Sequence, residues 1–189
     1  GNVSNVAQAF EDIYALENVG FDSATENIML TAQLATIVGI LAVFNGAGRV
    51  AWGFISDKMG RTKAMKMMFL TQAVIYLVAA AFVMAKPIDE NTVFIAVTAI
   101  VSAVGFCFGG NFALFPPTTA DYFGTKNFGD NYGKVFTSYA VGGVIGALIP
   151  AFVSGGFEYV FIGVAVGSLA ALAIAFMTKP PEAPGPSKA

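Results

Sequence analysis

Phe44-Asn45-Gly-Ala-Gly-Arg49-Val-Ala-Trp52-Gly53-Phe-Ile-Ser-Asp57-Lys58-Met-Gly60-Arg61-Thr-Lys63 is the stretch that decides how this chain folds. It opens inside a long apolar run that holds a single cation, Arg49, and closes in a short charged turn. A second apolar run follows at once, from about residue 64. An apolar helix, a tight glycine turn and another apolar helix are what a chain needs to cross a bilayer and turn back, because in hydrocarbon every backbone polar group must be paired within its own segment. Gly60 permits the tight turn, and Gly53 permits close approach of a neighbouring helix.

Working outward, five apolar segments appear, at 28–55, 64–85, 93–116, 132–153 and 157–177. Each holds about 20 residues or more, enough to cross ~30 Å of hydrocarbon at 1.5 Å per residue. None shows the short alternating pattern of a membrane barrel strand. The composition agrees: of 189 residues 56% are hydrophobic and only 12% charged, with a mean hydropathy of +0.70, whereas about a quarter of a soluble domain is charged. The fold class expected is all-α and integral to the membrane. Residues 1–177 form one transmembrane domain, and the Pro-rich 178–189 reads as a disordered cytoplasmic tail. Gly105/Gly109, Gly142/Gly146 and Gly163/Gly167, each spaced by four, are expected to let helices pack closely. Pro116-Pro117 and Pro150 are expected to break or bend their helices.

The charges set an orientation. Lys and Arg favour the cytoplasmic side. Lys58, Arg61, Lys63, Lys66, Lys126, Lys134, Lys179 and Lys188 share one side if each segment crosses once, leaving Lys86 alone on the other. The lone-lysine side also carries Glu11, Asp12, Glu17, Asp22, Glu26, Asp89, Glu90 and Glu158. The first full segment therefore enters from outside. Residues 1–15 are then expected to be the outer end of a truncated helix, although a surface helix is the other reading of that stretch. Five full helices plus the end of a sixth make one six-helix bundle, a size that fits half of a twelve-helix carrier. The expectation is a multi-pass protein of the cell (inner) membrane, its C-terminus cytoplasmic, its partners the lipid bilayer and a missing N-terminal six-helix half.

Several functions are excluded. There is no histidine, which removes histidine metal sites and Ser-His-Asp triads, and the one cysteine, Cys107, lies in an apolar run. No nucleophile–base set, phosphate loop or metal cluster is visible, so neither an enzyme nor a cofactor is expected. No basic surface suggests nucleic-acid binding.

Arg49 is the sharpest chemical feature. It lies eight residues before Asp57, about 12 Å from the cytoplasmic end of its helix. A charge that deep costs at least ~2.5 kcal/mol on insertion scales. An anion in a water-filled cavity would offset this, since a guanidinium binds a carboxylate through two parallel hydrogen bonds. A carbonyl or an acid on an absent helix is the structural alternative. No carboxylate within the five segments is placed to pair with it. Phe108 and Phe112, four apart, share a helix face. Asn111, Ser138 and Gln33 are polar candidates for the same cavity.

Gly53-Phe-Ile-Ser-Asp57-Lys58-Met-Gly60-Arg61 resembles the cytoplasmic signature of the major facilitator superfamily. Asp57 and Arg61 are expected to form ion pairs that lock neighbouring helices in one transport state. The resemblance makes 28–55 the eighth helix of twelve. Three blocks in order look like the oxalate/formate antiporter family, relatives of the monocarboxylate transporters: Phe44 to Lys58, Gly109-Gly-Asn-Phe-Ala-Leu-Phe-Pro116 with Ala120-Asp-Tyr-Phe-Gly-Thr125, and Asn131-Tyr-Gly-Lys-Val-Phe136. The resemblance implies that Arg49 binds a substrate carboxylate and that Phe108 and Phe112 wall its cavity. Two departures shape the expectation. Where the family's oxalate exchangers place a second cation, alignment on Asn131-Tyr132-Gly133 puts Tyr139, a possible hydrogen-bond donor to the anion. One deep cation suits a monocarboxylate such as formate or lactate better than oxalate. Where proton-coupled monocarboxylate carriers have an aspartate, one turn before the arginine, this chain has Asn45, which cannot carry a proton. Exchange or uniport of a small carboxylate substrate is therefore expected. A carrier for a drug or neutral metabolite, or an inert membrane fragment, are the alternatives.

Overall fold

A computed structural model describes residues 23–86, 89–152 and 156–178. It contains five helices: α1 Ser23–Met59, α2 Arg61–Met84, α3 Glu90–Phe123, α4 Phe128–Phe152 and α5 Phe157–Met177. Among the described residues there is no strand. The expected helix end at 1–15 lies outside them, as does the tail apart from Thr178, whose N–H closes α5 on Ile174 O.

The helix boundaries are set by glycines and caps, which is why α1 and α3 outrun their apolar cores. α1 continues to Met59 because only Gly60, at φ 89°, reverses the chain. α3 begins on an Asp89 cap whose carboxylate accepts from Thr92 N at 2.8 Å and from the Thr92 hydroxyl at 2.5 Å. Those bonds, the hydroxyl's first, hold the Asp89 carboxyl below its ordinary pKa. α3 was expected to stop near residue 116, but it runs through Pro116 and Pro117 to Phe123, where Gly124 at φ 76° ends it. Proline's backbone angle fits a helix. What it removes is a single donor at each position, and in a membrane helix local adjustments absorb that loss.

Four of the five helices, over Thr31–Met59, Arg61–Met84, Asn91–Phe123 and Glu158–Met177, are long and apolar enough to cross a membrane. The first three turns of α4 carry Asp130, Asn131, Lys134, Thr137 and Ser138. The outward surface is apolar, with Val43, Val50, Val78, Ile95, Ile174 and Phe176 all more than half exposed. Such a surface suits lipid and would be a liability in water.

α1 packs along α3, and α2 packs along α5. The first crossing is closed by glycine. A Cβ on Gly48 would overlap the Phe106 carbonyl, one on Gly109 the Asn45 carbonyl, and one on Gly105 the side chain of Leu41. Gly110 makes room for the Trp52 ring and for Met68 Sδ, 2.8 Å from the position a Cβ would take. The core that results gathers Trp52, Ala64, Met68, Cys107 and Leu114 from α1, α2 and α3. Close packing rather than water exclusion stabilises such a seam in lipid. The Gly105/Gly109 expectation therefore holds in part, since Gly105 and Gly109 both sit in this crossing. Among the described residues Gly53, Gly142, Gly146, Gly163 and Gly167 have nothing within 4 Å of where a Cβ would stand. Spacing by four marks a face on which approach is possible, but a neighbour must also be there.

Candidate substrate site

Arg49 directly follows Gly48 of the glycine seam, and its side chain lies on the exposed side of α1. Its Nε donates to Asn45 Oδ1 at 3.3 Å, a long bond one helical turn back. Its guanidinium lies over the Phe112 ring of α3, 4.9 Å from the centroid. That distance is within the range of cation–π attraction. Among the described residues no carboxylate lies within ion-pairing distance of Arg49.

The rings continue the site. Phe108 meets Phe112 edge-on, with centroids 5.3 Å apart and planes at 77°. Tyr139 of α4 completes a triangle, 6.0 Å from Phe108 and 5.9 Å from Phe112. The structure thus brings together Asn45, Arg49, Phe108, Phe112 and Tyr139, drawn from three helices. Asn111 is half-buried on α3 beside Phe112. The remaining polar candidates do not join them: Ser138 Oγ donates to the Val135 carbonyl of its own helix at 2.6 Å, and Gln33 is exposed four turns away on α1. Below Tyr139 the rings of Phe136, Tyr132 and Phe128 extend the contact down α4, with successive centroids 5.4, 5.9 and 5.4 Å apart. Sequence reasoning passed over this ladder, although the spacing 128, 132, 136 and 139 on one helix face was its signal.

In the charged signature Arg61 Nε pairs with Asp121, at the far end of the neighbouring helix α3. One residue on, Thr62 Oγ1 and the Tyr122 hydroxyl lie 3.4 Å apart. Two neighbouring contacts therefore tie the start of α2 to the end of α3. Asp57 stays exposed at the end of α1, and Lys58 Nζ sits 4.3 Å from the Phe54 ring centroid. Asp57 and Arg61 are separated by the Gly60 reversal, which points the Arg61 side chain across to α3.

A cavity of about 630 Å³ lies away from this site, between α1, α2 and α3, lined by Ile40, Phe44, Ile75, Thr98, Phe106 and Cys107 among others. Its hydroxyls are spent within their own helices, Thr98 on Phe94 O and Ser102 on Thr98 O, both at 2.6 Å. With no cation in its wall, it has nothing to hold a carboxylate.

An all-helical bundle with an apolar exterior and one deep cation seated on aromatic rings is a multi-pass membrane protein of the carrier class. The chain matches the family described as the Major Facilitator Superfamily over residues 7–189, and it belongs to that superfamily of transporters. It is 37% identical over 154 residues to the oxalate:formate antiporter of Oxalobacter formigenes, a match that covers 80% of this chain and 35% of that protein. It is 30% identical over 110 residues to the uncharacterized MFS-type transporter YhjX of Escherichia coli K12, covering 58% of this chain and 25% of the relative. It is 33% identical over 112 residues to apicoplast pyruvate carrier 1 of Toxoplasma gondii, covering 59% and 19%. The chain thus matches about a third or less of the length of these relatives.

Proposed function

We propose that this chain is the C-terminal six-helix half of a carrier that moves a small monocarboxylate by alternating access. Residues 1–177 form its transmembrane domain, and its basic face and C-terminus lie on the cytoplasmic side of the cell membrane. One observation carries the substrate class: the Arg49 guanidinium rests on the Phe112 ring with no carboxylate within ion-pairing distance among the described residues. A cation kept in a membrane helix without an acid is poised for an anion that arrives and leaves. The relatives named for oxalate, formate and pyruvate agree with that class. Formate or lactate is favoured over oxalate, because a dianion would call for a second deep cation and Tyr139 stands where such a cation would help. Asn45 orients the guanidinium and carries no proton at neutral pH, so exchange or uniport is favoured over proton symport.

In this mechanism Arg49 binds the carboxylate, Phe108 and Phe112 exclude water around it, and Tyr139 donates a hydrogen bond from the facing helix. Arg61 and Asp121 hold the cytoplasmic ends of α2 and α3 together as the halves rock. The test is counterflow of labelled formate, lactate, pyruvate and oxalate in proteoliposomes of the intact transporter. Arg49→Gln is expected to lower uptake by roughly 10- to 100-fold while membrane insertion is unchanged, because a charge-assisted pair contributes about 1.5–3 kcal/mol. Arg49→Lys keeps the charge, loses the fork and should fall in between. Wild-type uptake by Arg49→Gln would overturn the assignment.

A further inference from the structure

One face of α2 combines two lysines with an apolar stripe. Lys63, Lys66, Met67, Leu70, Val74, Leu77 and Val78 recur at helical spacing, and all but Lys66 are exposed. Lys66 is half-buried because its Nζ sits over the Phe176 ring of α5, 4.5 Å from the centroid. That contact brings the end of α5, with Phe176 and Met177 exposed, into the same surface. The basic head is electrostatically unsatisfied. α2 contains no acid, and the only acid of α5 is Glu158, in its first turn at the opposite end. Arg61 is taken by Asp121, and among the described residues Asp57 lies within ion-pairing distance of neither Lys63 nor Lys66. Lys63 and Lys66 are left without a counter-charge among the described residues.

We infer that the cytoplasmic ends of α2 and α5 form a docking surface for an anionic phospholipid, its phosphate held by Lys63 and Lys66 and an acyl chain laid along Met67, Leu70 and Val74. The dimensions fit. From Lys63 to Val74 the helix rises about 16 Å, close to the hydrocarbon depth of one leaflet. The charge fits as well, since the cytoplasmic leaflet carries anionic headgroups and each nearby lysine strengthens attraction to it. The Phe176 ring keeps the Lys66 ammonium at the headgroup level, where a free lysine would swing toward water. The inference rests on the orientation proposed above but not on the substrate, because binding is read without any carboxylate present.

The experiment is native mass spectrometry of the intact chain in detergent, titrated with phosphatidylglycerol or with phosphatidylcholine of the same chain length. Wild type should retain phosphatidylglycerol in preference. Lys63→Gln with Lys66→Gln should weaken that binding roughly thirtyfold, about fivefold for each lysine. Arginine at both positions should preserve it. Lys126→Gln with Lys134→Gln removes the same charge from the same side and should change it less than twofold. Equal retention of the two lipids, or equal loss in the two glutamine pairs, would overturn the site in favour of general charge attraction. A lipid-free dimer that the Lys63/Lys66 pair dissolves would assign the face to a second copy and overturn it too. Thermal unfolding of each variant confirms that binding is read on folded protein.

Discussion

The α1–α3 crossing and the inner face of α4 use the same residue in opposite ways. At the crossing, Gly48, Gly105 and Gly109 each press against a neighbour so closely that no Cβ fits. On α4, Gly142, Gly143 and Gly146 meet nothing within 4 Å among the described residues. Both helix pairs contribute to one site, yet they hold it by different means. Arg49 and Phe112 sit on backbones locked together by van der Waals contact, while Tyr139 reaches the Phe108 and Phe112 rings from α4. A carrier needs a binding group whose position survives the transport cycle and a wall that can separate from it. Under the proposed function, the seam would supply the first and the aromatic triangle the second.

Glycine substitution should break this contrast most forcefully. Gly109→Leu drives a side chain into the Asn45 carbonyl, a backbone atom that cannot swing aside. Overpacking typically costs ~1–3 kcal/mol, and the upper end or beyond is expected here, with a correspondingly lower Tm in detergent. Gly142→Leu meets nothing within 4 Å among the described residues and should leave the Tm of this chain nearly unchanged. Equal losses in the two variants would mean that α4 is packed as tightly as α1, and the contrast would be lost.

Tyr139 tests the looser wall. Tyr139→Ala removes the ring that faces Phe108 and Phe112, and aromatic pairs contribute about 0.5–1.5 kcal/mol each. The expected result is a roughly tenfold rise in KM for the carboxylate, with little change in Tm because α4 makes few other contacts there. Tyr139→Phe keeps the rings and loses only the hydroxyl, so its KM should rise by a smaller factor. If Tyr139→Ala unfolds the protein instead, the triangle is a structural joint and the substrate role of this ring is wrong.

These two regions also differ in how far they could be read from sequence. The five helices were legible because an apolar run of twenty residues has one solution in lipid. The meeting of Arg49 with Phe112 was legible through the family resemblance, which implied that both line one cavity, while spacing alone showed only that Phe108 and Phe112 share a face. The helix ends were not legible, because apolarity fades before the backbone turns: Gly60 and Gly124, not the last leucine or valine, stop α1 and α3. The partner of Arg61 was not legible either. Asp121 lies 60 residues away, and only the packing of α2 against α3 brings the two ends together. The neighbours of the glycine pairs were not legible for the same reason: a small-residue face is a local property, while its neighbour is a tertiary one.

The Arg61–Asp121 pair is where that tertiary information should leave its faintest measurable trace. Its side chains are 33% and 43% exposed, so solvent screens the attraction and the coupling should be only about 0.5 kcal/mol. A double-mutant cycle of Arg61→Gln and Asp121→Asn, read by unfolding in detergent, measures that coupling free of the single-site costs. It should shrink further at high salt, as a screened pair does. A coupling near zero would leave the 3.4 Å Thr62–Tyr122 contact as the polar tie between these ends. A coupling of several kcal/mol would show that the pair is shielded in the membrane, making this clamp as firm as the glycine seam. The rigid part of the molecule would then extend from Arg49 down to the α2–α3 ends, leaving α4 as the element that moves against it.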